Sequence, residues 1–167
     1  MSSPAGTGQE DASWAPLPLY DASATLDGLV QHPNVARMLA YWQSRRRDGR
    51  LPARRDLDPM EFRFVLGSVV IVEVQRNPLR FRYRVHGIDL VQRDGFDLTG
   101  KWLTDHPEPQ YRERIEKAWG LVVESGRIMH GFRDYQVDGR TRRYEVLILP
   151  LADNGTDVDR LFVVQIF

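Results

Sequence analysis

The chain has 167 residues, is 42% hydrophobic and 10% aromatic, and balances 23 basic against 23 acidic side chains for a formal net charge of zero. One domain with its own core is expected at this length, and balanced charge excludes a global pull towards nucleic acid or an anionic membrane surface. There is no cysteine, which excludes disulfides, thiolate nucleophiles and cysteine metal sites.

Residues 1–25 are rich in Ser, Ala, Gly and Pro without any period. The flexible tail is expected to run to residue 27, with a single domain over 28–167. The opening lacks the basic start and apolar run of a secretion signal, and no apolar stretch is long enough to span a membrane, so a cytoplasmic location is expected. Val35, Met38, Leu39 and Trp42 follow helical spacing after Pro33, a good first helical residue, and Asp48-Gly49 supplies a stop. An arginine cluster (Arg45, Arg46, Arg47, Arg50, Arg54, Arg55) follows, interrupted by Asp48 and Asp56. It reads as a solvated helix end favoured by the helix dipole. Asp58-Pro59-Met60-Glu61 predicts a short capped helix, which accounts for these acids without a metal ion.

Two strands are predicted next. Ser68–Gln75 is rich in Val and Ile. Phe81, Tyr83 and Val85 then alternate with Arg80, Arg82, Arg84 and His86, so one face is buried and the other wet. The segment Gly95-Phe96-Asp97-Leu98-Thr99-Gly100-Lys101-Trp102 nearly spells a phosphate-binding loop. It places Trp102 where a magnesium-coordinating hydroxyl must stand. No buried strand precedes it and His106-Pro107 prevents a continuous helix after it, so its glycines read as turn positions.

A second amphipathic helix carries Tyr111, Ile115, Ala118, Trp119 and Val122 and ends at Ser125-Gly126. Strands are predicted over 127–137, 141–150 and 159–167, the first two joined by an Asp138-Gly139 hairpin turn. The phase of 127–137 stays open: His130 faces either a pocket or solvent. His130 and Asp134 share one face of this strand, a spacing compatible with acid–base chemistry. The element order predicts an α+β fold, an antiparallel sheet with helices on one face.

Several motifs taken together resemble the PAS domain. They are Asp97-Leu98-Thr99 with Gly100-Lys101 ahead of the long helix, and Asp138-Gly139-Arg140 leading into Arg143-Tyr144-Glu145. Tyr41-Trp42, Leu51-Pro52, Asp58-Pro59, Phe81 to Gly87 and Leu149-Pro150-Leu151 resemble a bacterial subfamily of stand-alone single-domain PAS proteins. The resemblance covers residues 28–167 in register. It implies a five-stranded antiparallel sheet with helices across one face, preceded by a helical extension. It also implies a role in bacterial signal sensing or protein contact rather than catalysis, frequently as a homodimer. It names no cofactor, and flavin-adduct photochemistry would need the cysteine this chain lacks.

A small molecule would sit between sheet and middle helices. The expected lining is Phe81, Tyr83, Val85, Phe96, Trp102, His130, Phe132 and Tyr144, an apolar wall with a few polar groups. A ligand-free interaction protein with a filled core is the second reading, with Tyr41 and Trp42 as anchors for a signalling partner or a second copy. A cone-shaped isomerase or hydratase using His130 and Asp134 is the third. No nucleic-acid or membrane partner is expected.

Overall fold

Strands begin where β-branched and aromatic residues cluster and end at turn residues. The computed structural model describes residues 15–167. Among them β1 spans Leu19–Tyr20, β2 Val69–Gln75, β3 Arg80–His86, β4 Ile128–Val137, β5 Arg140–Leu151 and β6 Arg160–Ile166. They form one six-stranded sheet in the order β1-β4-β5-β6-β2-β3, with every neighbouring pair antiparallel. The α+β architecture is as expected, with six strands rather than five.

The extra strand comes from the segment expected to be tail. Leu19 and Tyr20 pair with Met129 and Ile128, and Ala22 and Leu26 are buried. The packed chain therefore starts earlier than residue 28. The rest of that tail, residues 1–14, lies outside the described residues.

Three α-helices complete the fold: α1 over Pro33–Ser44, α2 over Ile88–Asp94 and α3 over Pro109–Ser125. Proline opens α1 and α3 as the sequence indicates, where its missing N–H costs nothing. Helix α1 is capped by His32, whose ring accepts a bond from the Asn34 amide. Helices α2 and α3 end on Gly95 and Gly126, both left-handed, the backbone state glycine enters without strain.

Residues 58–61 form turns instead of the predicted helix. Glu61 does not close a capping box, because the Asp58 amide is taken by the Tyr41 hydroxyl and Glu61 binds Tyr41 and Arg45.

The sheet is covered on both faces. On one face α2, α3 and the short turn at Leu103–Asp105 pack with Val70, Val72, Tyr83, Met129, Val146, Ile148 and Val163. On the other, α1 and the segment after it bring Val35, Met38, Trp42, Leu57, Phe62 and Val65 against Val69, Ile71, Ile128, Leu147, Leu149 and Phe162. Consecutive residues of β2 and β5 thus enter opposite cores, which is why both strands read as unbroken apolar runs.

Gly95–Trp102 has a structural job. It follows a helix, not a strand, and runs back along the edge of β3. The Tyr83 amide donates to the Lys101 carbonyl and the Gly100 amide to the Tyr83 carbonyl, both at 2.8 Å, while Arg82 and Trp102 form a bridge. An edge that would otherwise be open is covered.

Candidate functional site

The site grows from a break in the alternation of β3. Ile71 pairs with Val85 and Val72 with Tyr83, so Arg84 is an extra residue in the strand. Such a bulge turns the residues beyond it onto the opposite face. Phe81 and Tyr83 enter the α3 core, Val85 turns to the α1 core, and His86 takes the place on the α3 side that alternation had given to Val85.

His86 is 9% exposed. Its Nδ1 accepts from the Leu98 amide at 3.0 Å, which leaves the proton on Nε2, 3.4 Å from the Asp94 carboxylate. Arg93 donates to the other Asp94 oxygen at 2.8 Å. Burial works to raise the Asp94 pKa, but the bonds from His86 and Arg93 outweigh it and hold the carboxyl below its ordinary value.

Above this pair opens a cleft of about 470 Å³ between the ends of α2 and α3 and the β4–β5 hairpin. Its walls include Phe96, His106, Tyr111, Tyr135, Tyr144 and Phe167. His106 stacks on Tyr111 with ring centres 4.3 Å apart and meets Phe96 edge-on at 5.1 Å. Across the cleft Tyr144 stacks on Phe167 at 4.3 Å, and Tyr135 meets that ring edge-on at 4.7 Å. Arg93 lies 3.8 Å over the Phe167 ring. Burial pushes the phenols of Tyr83, Tyr111 and Tyr144 above their ordinary range, and burial holds His106 below the usual histidine value. These rings are therefore neutral at physiological pH.

The structure divides the expected lining. Phe96 and Tyr144 line the cleft, and Tyr83 lines its floor beside His86. Phe81 sits deeper, edge-on to Trp119 at 5.3 Å. Trp102 lies apart, beneath the Arg80 guanidinium at 3.8 Å, in a small recess with Leu79 and Phe81.

Val85, His130 and Phe132 are on the wrong face for the cleft. His130 shares its side of β4 with Ile128 and pairs with Leu147, both in the α1 core. It is neither a pocket residue nor solvated. His130 is 2% exposed and bonds Glu145 at 2.8 Å, and Glu145 also accepts from the amides of Gln31 and His32 just ahead of α1. Asp134 pairs instead with Arg143 at 3.5 Å, so the two residues do not form a catalytic dyad.

Trp42 is fully buried, its indole donating to the Pro150 carbonyl at 3.0 Å, and cannot serve as an exposed anchor. Tyr41 is half-buried and tied to Glu61 and the Asp58 amide. Sequence reasoning missed Arg93, Asp94, His106, Tyr111 and Phe167 in the cleft. Only the aromatic spacing around α3 hinted at Tyr111.

A family model described as a PAS domain matches residues 30–164. The chain belongs to the PAS domain family. Among solved structures, the PAS domain of BvgS from Bordetella pertussis is 17% identical with a TM-score of 0.48, covering 66% of this chain and 86% of that one. A domain of an HTR-like protein from Haloarcula marismortui is 20% identical with a TM-score of 0.39, covering 59% and 96%. A light-oxygen-voltage domain solved with a flavin analogue is 20% identical with a TM-score of 0.39, covering 58% and 73%. A search of curated proteins finds no match.

PAS domains are in general sensory or interaction modules rather than enzymes, and this PAS domain is placed in that class by its family. No helix among the described residues is long and apolar enough to cross a membrane, and no group of three or more acidic or histidine side chains among them is arranged to hold a metal ion. In this PAS domain, the bulge at Arg84 and the glycine stop at Gly95 set His86, Arg93 and Asp94 at the cleft floor.

Proposed function

We propose that this PAS domain is a sensory module that binds a small molecule in the aromatic cleft between α2, α3 and the β4–β5 hairpin, and passes on its occupancy to a protein partner. One observation carries the reading. A concavity of about 470 Å³, within the range of small-molecule sites, is walled by aromatic rings and holds a few convergent polar groups. The family class supports the signalling part, and the motifs shared with a bacterial subfamily support a bacterial setting.

The cleft lies at the turn end of the β4–β5 hairpin, where an occupant touches α2, α3 and two strands together. Binding there biases the packing of all four, which is how a ligand acquires differential affinity for two states.

Native mass spectrometry of the purified chain, compared with its denatured mass, tests the first step. The expected result is an additional non-covalent mass that disappears in a Tyr144→Ala variant of unchanged circular dichroism. Equal retention of that mass by the variant removes the cleft as its site.

A further inference from the structure

The cleft's polar groups are unevenly satisfied, and the imbalance identifies a ligand class. This inference rests on the cleft being the binding site.

His106 is 7% exposed. Its Nδ1 accepts the Glu108 amide at 3.1 Å, so in the neutral ring the proton stands on Nε2. That N–H borders the cleft and has no acceptor among the described residues. Arg93 binds Asp94 firmly through Nε at 2.8 Å, whereas Nη1 and Nη2 reach Gln165 Oε1 only at 3.4 Å, near the limit of a hydrogen bond.

The interior acceptor is already used: Asp94 takes both His86 and Arg93. Asp134, on the hairpin rim, is paired with Arg143. The third acid of the lining, Glu108, is exposed. The interior of the cleft therefore offers the unfilled His106 donor and the loosely held Arg93 nitrogens between two aromatic walls, while its one interior carboxylate, Asp94, is already engaged. His106 also presents a proton, not a lone pair, to the cleft, which is the wrong tautomer for binding a metal through Nε2.

We propose that the cleft takes an aromatic carboxylate, its ring between the His106–Tyr111 stack and the Tyr144–Phe167 stack, its oxygens accepting from His106 Nε2–H and the Arg93 guanidinium. Planar rings suit offset and edge contacts with these walls. A carboxylate suits two converging donors, one of them cationic. An organic cation finds Asp94 already occupied and a repelling Arg93, with only the exposed Glu108 left to meet it.

The test uses the full chain and three probes of one shape: 1-naphthoate, 1-naphthalenemethanol and 1-naphthylmethylamine, followed by NMR titration and calorimetry. Naphthoate is expected to bind tightest and the amine weakest, with shifts at Tyr144 and Phe167. His106→Phe, which keeps the ring stack, and Arg93→Gln should each weaken naphthoate about tenfold or more, the loss expected for a charge-assisted hydrogen bond, and weaken the uncharged alcohol by clearly less. The alcohol binding in the cleft as tightly as naphthoate, or the amine binding tighter, overturns the carboxylate class while leaving the cleft as a ligand site. Failure of all three probes to shift any cleft resonance overturns both the class and the site. Near-UV circular dichroism of each variant separates lost donors from lost fold.

Discussion

Three of the four histidines do the same local work. His32, His86 and His106 each accept a backbone amide through Nδ1, from Asn34, Leu98 and Glu108. Each fixes a tautomer and orders a turn or a helix start. For His106 this comes with burial, which holds its pKa below the ordinary value of 6.5. The unfolded chain takes up a proton near that value, and the folded ring resists it to lower pH. Stability therefore falls as pH drops through 6.5 and levels off once the folded ring also titrates. A His106→Phe variant should show a shallower fall of Tm over that window, measured by thermal denaturation at constant ionic strength. An unchanged slope would mean that His106 is free to protonate in the fold.

At the scale of elements, the junction from β3 to α2 sets the site. Gly87 is buried there, and its amide donates to the Val69 carbonyl at 2.8 Å. A Cβ on Gly87 would run into the Gly67 carbonyl and the Val69 amide, which are backbone and cannot swing aside. Gly87→Ala should therefore cost roughly 1–3 kcal/mol or more, the usual penalty of overpacking a tight contact. Gly67→Ala should cost less, because its Cβ meets the Asp89 side chain, which can move. Urea denaturation of both variants checks the order.

The same junction shows what the sequence could reveal. The α3 helix, the Asp138-Gly139 turn and the Val/Ile runs are legible, because period and turn chemistry write them directly. The bulge at Arg84 is not, since an extra residue among alternating arginines and aromatics leaves the alternation intact on paper. Alternation therefore puts the rest of β3 after Tyr83 on the wrong face, with Val85 in the cleft and His86 outside it. The phase of β4 was unreadable for a different reason. Ile128, Met129 and His130 are all buried, since the sheet is covered on both sides and alternation no longer separates inside from outside. The cleft residues of α2 and the loop to α3 were hidden because their apolar and charged side chains meet only in the fold.

At the scale of the whole molecule, the second covered face is the feature with the largest consequence. Residues 19–65 act as one clamp. Strand β1 extends the sheet, the amides of Gln31 and His32 bind Glu145 beside His130, and α1 buries Val35, Met38, Leu39 and Trp42 against the sheet. Trp42 of α1 thus serves the interior of the chain, while the half-buried Tyr41 ties α1 to Glu61 and the Asp58 amide. Without the clamp, Ile128, Leu147, Leu149 and Phe162 would lose cover together, and a contiguous apolar sheet face of that kind drives association. A chain shortened to begin at Arg45 keeps the α3 core and the cleft but exposes this face. It should elute as an oligomer or aggregate at concentrations where the full chain does not, by size exclusion with light scattering. Trp42→Ala in the full chain isolates the packing part: loss of the buried indole and its bond to Pro150 should cost about 3–5 kcal/mol without changing the mass. A shortened chain with the full chain's oligomeric state and an unaltered melting curve would show that α1 rests on the sheet without holding it.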